Sequence, residues 1–546
     1  MQWVRNLKMH LNGWAVLTLL FVLIILLPNI SVFAQLFTPP NENWYHIKEF
    51  LLKSYIFNTL TLVIFTALFT ILIGVSASWF VSAYDFPFKN FFKWALVLPL
   101  AIPPYIGAYT YHGILNYTGV IQTTLRNSFD VQVQQKYFDI MTMPGAVFIF
   151  TMFLFPYVYI ITRSFLEKQA ASLIENARLL GSSSFEIFYR VVIPISRTAI
   201  IGGASLVVLE VLNDFGVVKY FGIPTFSTAI FQAWFGMGDH GSAVRLAGIL
   251  MSIVIVILVL EKLFRGRKKY SFSTSKVRPI QKMELTGLKG WGMFAYFLAI
   301  FSLAFLIPFV QLVHWAVMTY ELIFTGEFFR LIWNSVFVAV IAASVIVAAA
   351  LIIGNYTRLT DGRVAKAMSR VTILGYSMPG AVIAIGVITL FIALDKKLFT
   401  FYEAIGLQPT LILSLSVSML IFAYVIRFLA IGYNSIEAGF EKVGRSFTEA
   451  SRLLGMPVTK TFFKVDLKMI KGAVFSGFIL VFVDILKELP LTLILQPFNF
   501  YTLATKAFQY ASDEMIQEAA IASLLIIIIS GLSIFFFHVI LEKEQH

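Results

Sequence analysis

Cysteine is absent from this chain, which excludes disulfides and thiolate metal ligands. Charge is scarce: Asp, Glu, Lys and Arg make up only 13% of the 546 residues. The seven histidines are scattered, so the sequence offers neither a histidine cluster nor a nucleophile–base pair for an intramembrane enzyme. No G-x-x-x-x-G-K-[ST] phosphate loop occurs, so ATP hydrolysis has no seat in this chain. A soluble globular protein does not have this composition.

What the sequence does have is apolar length. Hydrophobic residues reach 59%, with 55 phenylalanines. Runs of about 20 apolar residues, enough to cross a bilayer core, recur about twelve times. They lie near 12–34, 55–82, 92–116, 143–165, 197–220 and 242–264, then 290–318, 331–357, 369–394, 410–432, 469–495 and 515–541. They are too long for barrel strands and lack a period of two, so the predicted fold class is an all-α integral membrane protein. The first run is followed by no A-x-A cleavage pattern and is read as a membrane helix.

The net charge of +13 is not a nucleic-acid footprint. Basic residues gather in alternate connections: Arg5 and Lys8, Lys89 and Lys93, Arg163 to Arg197, Lys262 to Lys289, Arg358 to Arg370, and Arg427 to Lys471. The intervening loops carry mixed or acidic charge. By the positive-inside rule both termini are cytoplasmic. The polar stretch Glu261 to Gly290 contains Arg265-Gly266-Arg267-Lys268-Lys269 and Pro279, and it reads as a cytoplasmic linker. Residues 1–264 and 290–546 are then two six-span halves joined by 265–289. An even number of spans precedes the linker, so the halves are parallel pseudo-repeats about an axis along the membrane normal.

The repeat is written in residues. Glu175-Asn176-Ala177-Arg178-Leu179-Leu180-Gly181 returns 274 residues later as Glu449-Ala450-Ser451-Arg452-Leu453-Leu454-Gly455. Glu210 and Asp214 return at the same offset as Asp484 and Glu488. Asn58-Thr59 and Asn334-Ser335 begin the second span of each half, and Pro104 and Pro379 break the third. Each loop predicts a short amphipathic helix, with Leu173, Ala177 and Leu180 on one face and Phe447, Ala450 and Leu454 on the other copy's face. Gly181 and Gly455 supply the bend. Taken singly, either loop could be an interfacial helix lying on lipid; the duplication argues for more.

Carboxylates four residues apart share a helix face, so each charged span presents a stripe of two. Ionised groups in a bilayer are costly unless paired or hydrated, which marks Glu210, Asp214, Asp484 and Glu488 as pathway candidates. Four oxygen donors about a pore would suit a hard, highly charged cation. Two bland readings stay open: the acids sit in water at outer helix ends near Lys219 and Lys487, or pair structurally with arginines such as Arg126 or Arg245. Tyr105, Tyr109, Tyr111 and His112 crowd the third span and read as interfacial aromatics rather than ligands.

The duplicated loops resemble the EAA loop of permease subunits of binding-protein-dependent ABC importers, written E-A-A, three residues, G, nine residues, I-x-L-P. The first copy ends on Val191, Ile193 and Pro194; the second has Val465 and Leu467, with Lys468 where the family has proline. The resemblance implies a type I ABC importer permease fold and two separate ATPase subunits docked on the loops. It makes Glu175, Ala177, Arg178 and Gly181, with Glu449, Ala450, Arg452 and Gly455, the coupling residues. The texts Asp214-Phe215-Gly216-Val217-Val218-Lys219-Tyr220-Phe221-Gly222 and Lys487-Glu488-Leu489-Pro490-Leu491-Thr492 are similar to the two halves of fused permeases for ferric iron uptake. That implies ferric iron as cargo, handed over by an extracytoplasmic binding protein at a bacterial inner membrane. No permanent cofactor is implied, and ATP belongs to the partner subunits. Fused thiamine permeases share much of the pattern. An ion-coupled secondary transporter is the alternative from another class, but it has no need of two matched loops.

Overall fold

A chain this apolar must satisfy its backbone within each segment, and helices do so. The computed structural model describes residues 13–265 and 282–543, apart from 132–133, 170, 361, 405, 407–410 and 415. Among the described residues, nine helices are long and apolar enough to cross a membrane, or twelve if each of three bent pairs is one span. That matches the spans read from the sequence. Most of the 265–289 linker lies outside the described residues.

The bends sit where the chain cannot continue a helix. Lys89–Ala101 and Pro104–Phe129 meet at 94°, and Arg363–Ser377 and Gly380–Phe401 meet at 107°. Proline disfavours helical geometry in the residue before it, which accounts for the breaks at Pro103-Pro104 and Pro379. The third bend, 75° between Met469 and Lys471, has no proline. The fifth and eleventh spans also end earlier than their apolar runs. Helix Ile193–Asn213 stops and a short helix Gly216–Tyr220 follows; helix Lys471–Leu486 stops and Pro490–Leu495 follows.

The duplicated landmarks are joints. Asn58 donates from its amide to the Pro224 carbonyl at 3.0 Å, and Asn334 does the same to Tyr501 at 3.4 Å. Thr59 Oγ1 accepts from the Phe226 amide at 3.4 Å, and Ser335 Oγ from the Leu503 amide at 2.7 Å. Each half thus ties its second span to the segment that follows its fifth.

Helices approach through missing side chains, as is usual where lipid gives no hydrophobic drive between them. A Cβ on Gly203 would lie 2.7 Å from Val158 Cα, and one on Gly74 2.7 Å from Val158 Cβ. The second, fourth and fifth spans therefore meet at Val158. The first span of each half leaves its own half. Helix Gly13–Gln35 packs on the second half, where a Cβ on Gly386 would meet the Pro28 carbonyl at 2.8 Å and Trp14 lies edge-on to Phe462 at 4.8 Å. Helix Gly287–Phe301 packs on the first, with Tyr296 hydroxyl 2.8 Å from Ser76 Oγ and Phe297 stacked on Phe86 at 5.0 Å. A two-residue parallel pairing, Tyr84–Asp85 with Met283–Glu284, holds the start of the second half against the end of the second span.

Candidate functional site

The breaks in the fifth and eleventh spans build a cavity where the halves meet. It encloses about 100 Å³, and Glu210, Asp214, Asp484 and Glu488 all line it. The helix-face argument gives the wrong reason for this. Asp214 lies past the end of its helix in an extended conformation, and its Oδ1 accepts from the Val217 amide at 2.9 Å. Glu488 lies past its own, and its Oε1 accepts from the Leu491 amide at 3.1 Å. Acceptor and donor repeat at the same 274-residue offset. Each acid sits one residue before the N-cap of a new short helix, Phe215 or Leu489, and bonds one of its free amides, which favour negative charge.

Arg126 and Arg245 are not partners of the acids. Arg126 donates to the Tyr117 carbonyl at 2.9 Å, and Arg245 to the Thr38 carbonyl. Two other cations enter the cavity. Lys487 Nζ lies 2.7 Å from Asp484 Oδ1. Arg427 Nε lies 3.7 Å from Glu488 Oε2, a charge contact longer than a hydrogen bond, and its Nη1 donates to the Met378 carbonyl. Arg427 is therefore a buried cavity residue and not part of a basic loop. Both cations come from the second half; the first half has Phe153 and Asn213 at the matching positions. The ring of acids is symmetric in sequence and asymmetric in charge. Glu210 accepts from the Tyr376 hydroxyl at 3.1 Å, and Asn213 Oδ1 from the Gly380 amide at 2.6 Å. Both bonds cross between halves.

Among the described residues no three His, Cys, Asp or Glu side chains stand close enough together to hold a metal ion. The acids line one chamber without forming one coordination sphere. Tyr105 corrects a second expectation: it is buried in the cavity wall, and its hydroxyl has no hydrogen-bond partner among the described residues. Tyr109 bonds to Ser523 and Tyr111 to the Leu303 carbonyl, so those two are packed core residues. His112 Nδ1 sits 2.7 Å from the Tyr220 hydroxyl. Sequence reasoning missed three further residues of the cavity lining, Arg427, Tyr157 and Tyr376. A buried arginine inside an apolar run was the one available signal, and adjacency to a basic loop hid it.

The duplicated loops fold alike. Helix Ala171–Leu179 and helix Ser446–Leu453 each end at a glycine of left-handed φ, +82° at Gly181 and +84° at Gly455. Ser182 donates to the Ala177 carbonyl and Gly181 to Arg178; Met456 donates to Ser451 and Gly455 to Arg452. This is the Schellman closure, which favours glycine because only it takes that φ without strain. The predicted apolar faces are split. Ala177 is buried while Leu180, Ala450 and Leu454 are exposed, and Leu173 lies outside the residues whose side chains are described. Glu175 and Arg178 are half-buried; Glu449 and Arg452 are exposed. At the tips, Leu179, Leu180, Leu453 and Leu454 are 84–88% exposed.

The sequence matches the family of binding-protein-dependent transport system inner membrane components twice, over residues 81–267 and 346–545. It is 26% identical over 482 residues to the Fe(3+)-transport system permease protein FbpB 2 of Haemophilus influenzae, covering 88% of each chain. The sulfate transport system permease protein CysW of Synechocystis is 24% identical over 256 residues, 45% of this chain and 89% of its own. The spermidine/putrescine permease protein PotB of H. influenzae is 25% identical over 213 residues, 37% of this chain and 73% of its own.

Proposed function

The chain belongs to the inner-membrane components of binding-protein-dependent transport systems and carries the family's domain twice, and from that premise we propose that it passes ferric iron from an extracytoplasmic binding protein into the cytoplasm. On this reading the linker 265–289 and both termini are cytoplasmic. Two ATPase subunits dock on the paired loops, with Glu175, Ala177, Arg178 and Gly181 at one and Glu449, Ala450, Arg452 and Gly455 at the other. Nucleotide-driven closure of those subunits rocks the halves about the cavity. Exposed leucine pairs at both glycine elbows support docking, since unpartnered large apolar side chains at a loop tip favour a protein partner.

The observation that carries the cargo reading is the four-acid cavity at the seam between halves. Carboxylate and phenol oxygens suit a hard trivalent cation. Their spread around the chamber favours a relay of weak contacts over a trap, as conduction requires. The likeness to a permease of Fe(3+) transport over most of the chain supports the same cargo.

The test is ferric uptake by cells carrying Glu210→Gln, Asp214→Asn, Asp484→Asn or Glu488→Gln, at matched protein level. Asp214→Asn and Glu488→Gln are expected to slow uptake about tenfold, the rate equivalent of one charge-assisted hydrogen bond. Wild-type rates in all four would end the relay. Uptake of thiamine in place of iron by the parent would reassign the cargo.

A further inference from the structure

The two elbows are alike in backbone and opposite in the chemistry that holds them. Beneath the first lie Ile174, Ala177, Ile187 and Val192, all buried. The residues 274 positions later are Thr448, Ser451, Thr461 and Asp466, equally buried. Each of these four buried apolar positions under the first elbow thus has a polar side chain or a charge under the second. These groups bond to one another: Thr448 Oγ1 donates to Asp466 Oδ1 at 2.5 Å, and Ser451 Oγ lies 3.0 Å from Thr461 Oγ1.

The charge has a partner outside the loop. Asp466 Oδ2 lies 3.0 Å from Arg358 Nη2, with the two side chains 2% and 9% exposed. That guanidinium also covers the Phe440 ring at 4.2 Å. Arg358 is the penultimate residue of helix Gly326–Leu359, the span that carries the Asn334–Ser335 joint. At the 276-residue offset that relates Thr59 to Ser335, its counterpart in the first half is Ser82. Both members of the pair are therefore peculiar to the second half.

We propose that Arg358 and Asp466 are positioning residues that lock the second elbow to helix Gly326–Leu359, so that motion imposed on this elbow is delivered to that helix through an ion pair. The floor of the first elbow, at the four matching positions, is apolar. A buried pair gives no more stability than well-packed apolar side chains of similar volume, so stability does not explain it. What it adds is direction: an apolar contact can slide, whereas a charge pair seated on a threonine donor holds one register. The inference rests on the reading that the elbows receive the ATPase subunits.

The absence of cysteine makes the test direct. Spin labels are placed at Thr360→Cys and Ser446→Cys, beside the helix end and on the elbow, in the full chain assembled with its ATPase. In the parent, the inter-label distance distribution is expected to be narrow and unmoved by ATP, because elbow and helix travel together. Asp466→Asn is expected to broaden it and make it ATP-sensitive, and to lower ferric iron moved per ATP about tenfold. Removing one partner can prevent folding. The double variant Arg358→Met with Asp466→Leu strands no charge, and it is expected to fold and show the same broadening. The exchanged pair Arg358→Asp with Asp466→Arg is expected to narrow the distribution again. A distribution in the double variant as narrow and ATP-insensitive as the parent's would overturn the proposal. A separate arm compares ATPase binding by Leu453→Asp with Leu454→Asp against that of the parent: undiminished binding would sink the docking reading and leave the distance result to judge the pair.

Discussion

At the scale of single residues, the cavity derives its character from departures from symmetry. The acids repeat faithfully, but Lys487 and Arg427 stand within ion-pair distance of the second-half pair, while Glu210 and Asp214 accept from a phenol and a backbone amide. On the proposed reading, the two halves therefore present different affinities to a passing cation, which favours exchange over capture. Tyr105 tests this directly. Its hydroxyl is buried and unpartnered among the described residues, a state that costs about 1–3 kcal/mol. Tyr105→Phe is therefore expected to melt no lower than the parent in detergent, and if the hydroxyl serves the cargo, to take up ferric iron several-fold more slowly. A lowered melting temperature with normal uptake would make it a structural residue. The acids were legible in the sequence because charge is conspicuous in an apolar run. Tyr105 was not, because tyrosine is equally at home in an interfacial belt.

At the scale of elements, the decisive features are ends and close approaches. The apolar runs gave the spans, yet hydropathy continues across Asn213 and Leu486, where the helices stop. The stop matters more than the span, since it starts short helices whose first amides Asp214 and Glu488 can bond. A second element-scale feature is the crossing at Val158. Gly203→Ala would push a methyl to within 2.7 Å of the Val158 backbone, and overpacking of this kind costs about 1–3 kcal/mol. Thermal unfolding should show a clear drop for Gly203→Ala and little change for Gly472→Ala, which meets nothing within 4 Å. Equal melting of the two would mean that the spans are free to part at that crossing.

At the scale of the whole molecule, two sequence halves do not make two independent bodies. Each first span packs on the opposite half, and the cavity is closed by bonds such as Tyr376 to Glu210 that cross the seam. Residues 1–264 and 290–546 expressed separately are expected to be degraded, each lacking the span that covers it. Expressed together as two chains, they are expected to copurify and to support uptake. Stable accumulation of either half alone would show that the exchanged spans contribute little.

The sequence by itself determined the class, the number of spans, the duplication and the two elbows. Those follow from local properties: apolar length, the period of the pattern and a glycine that must take positive φ. Only the tertiary structure decided that the four acids share one chamber, that Arg427 and Lys487 answer two of them, and that the elbows rest on unlike floors. Those facts depend on which residues meet across hundreds of positions, where helices end and the halves exchange spans, and no pattern within a single segment contains that information.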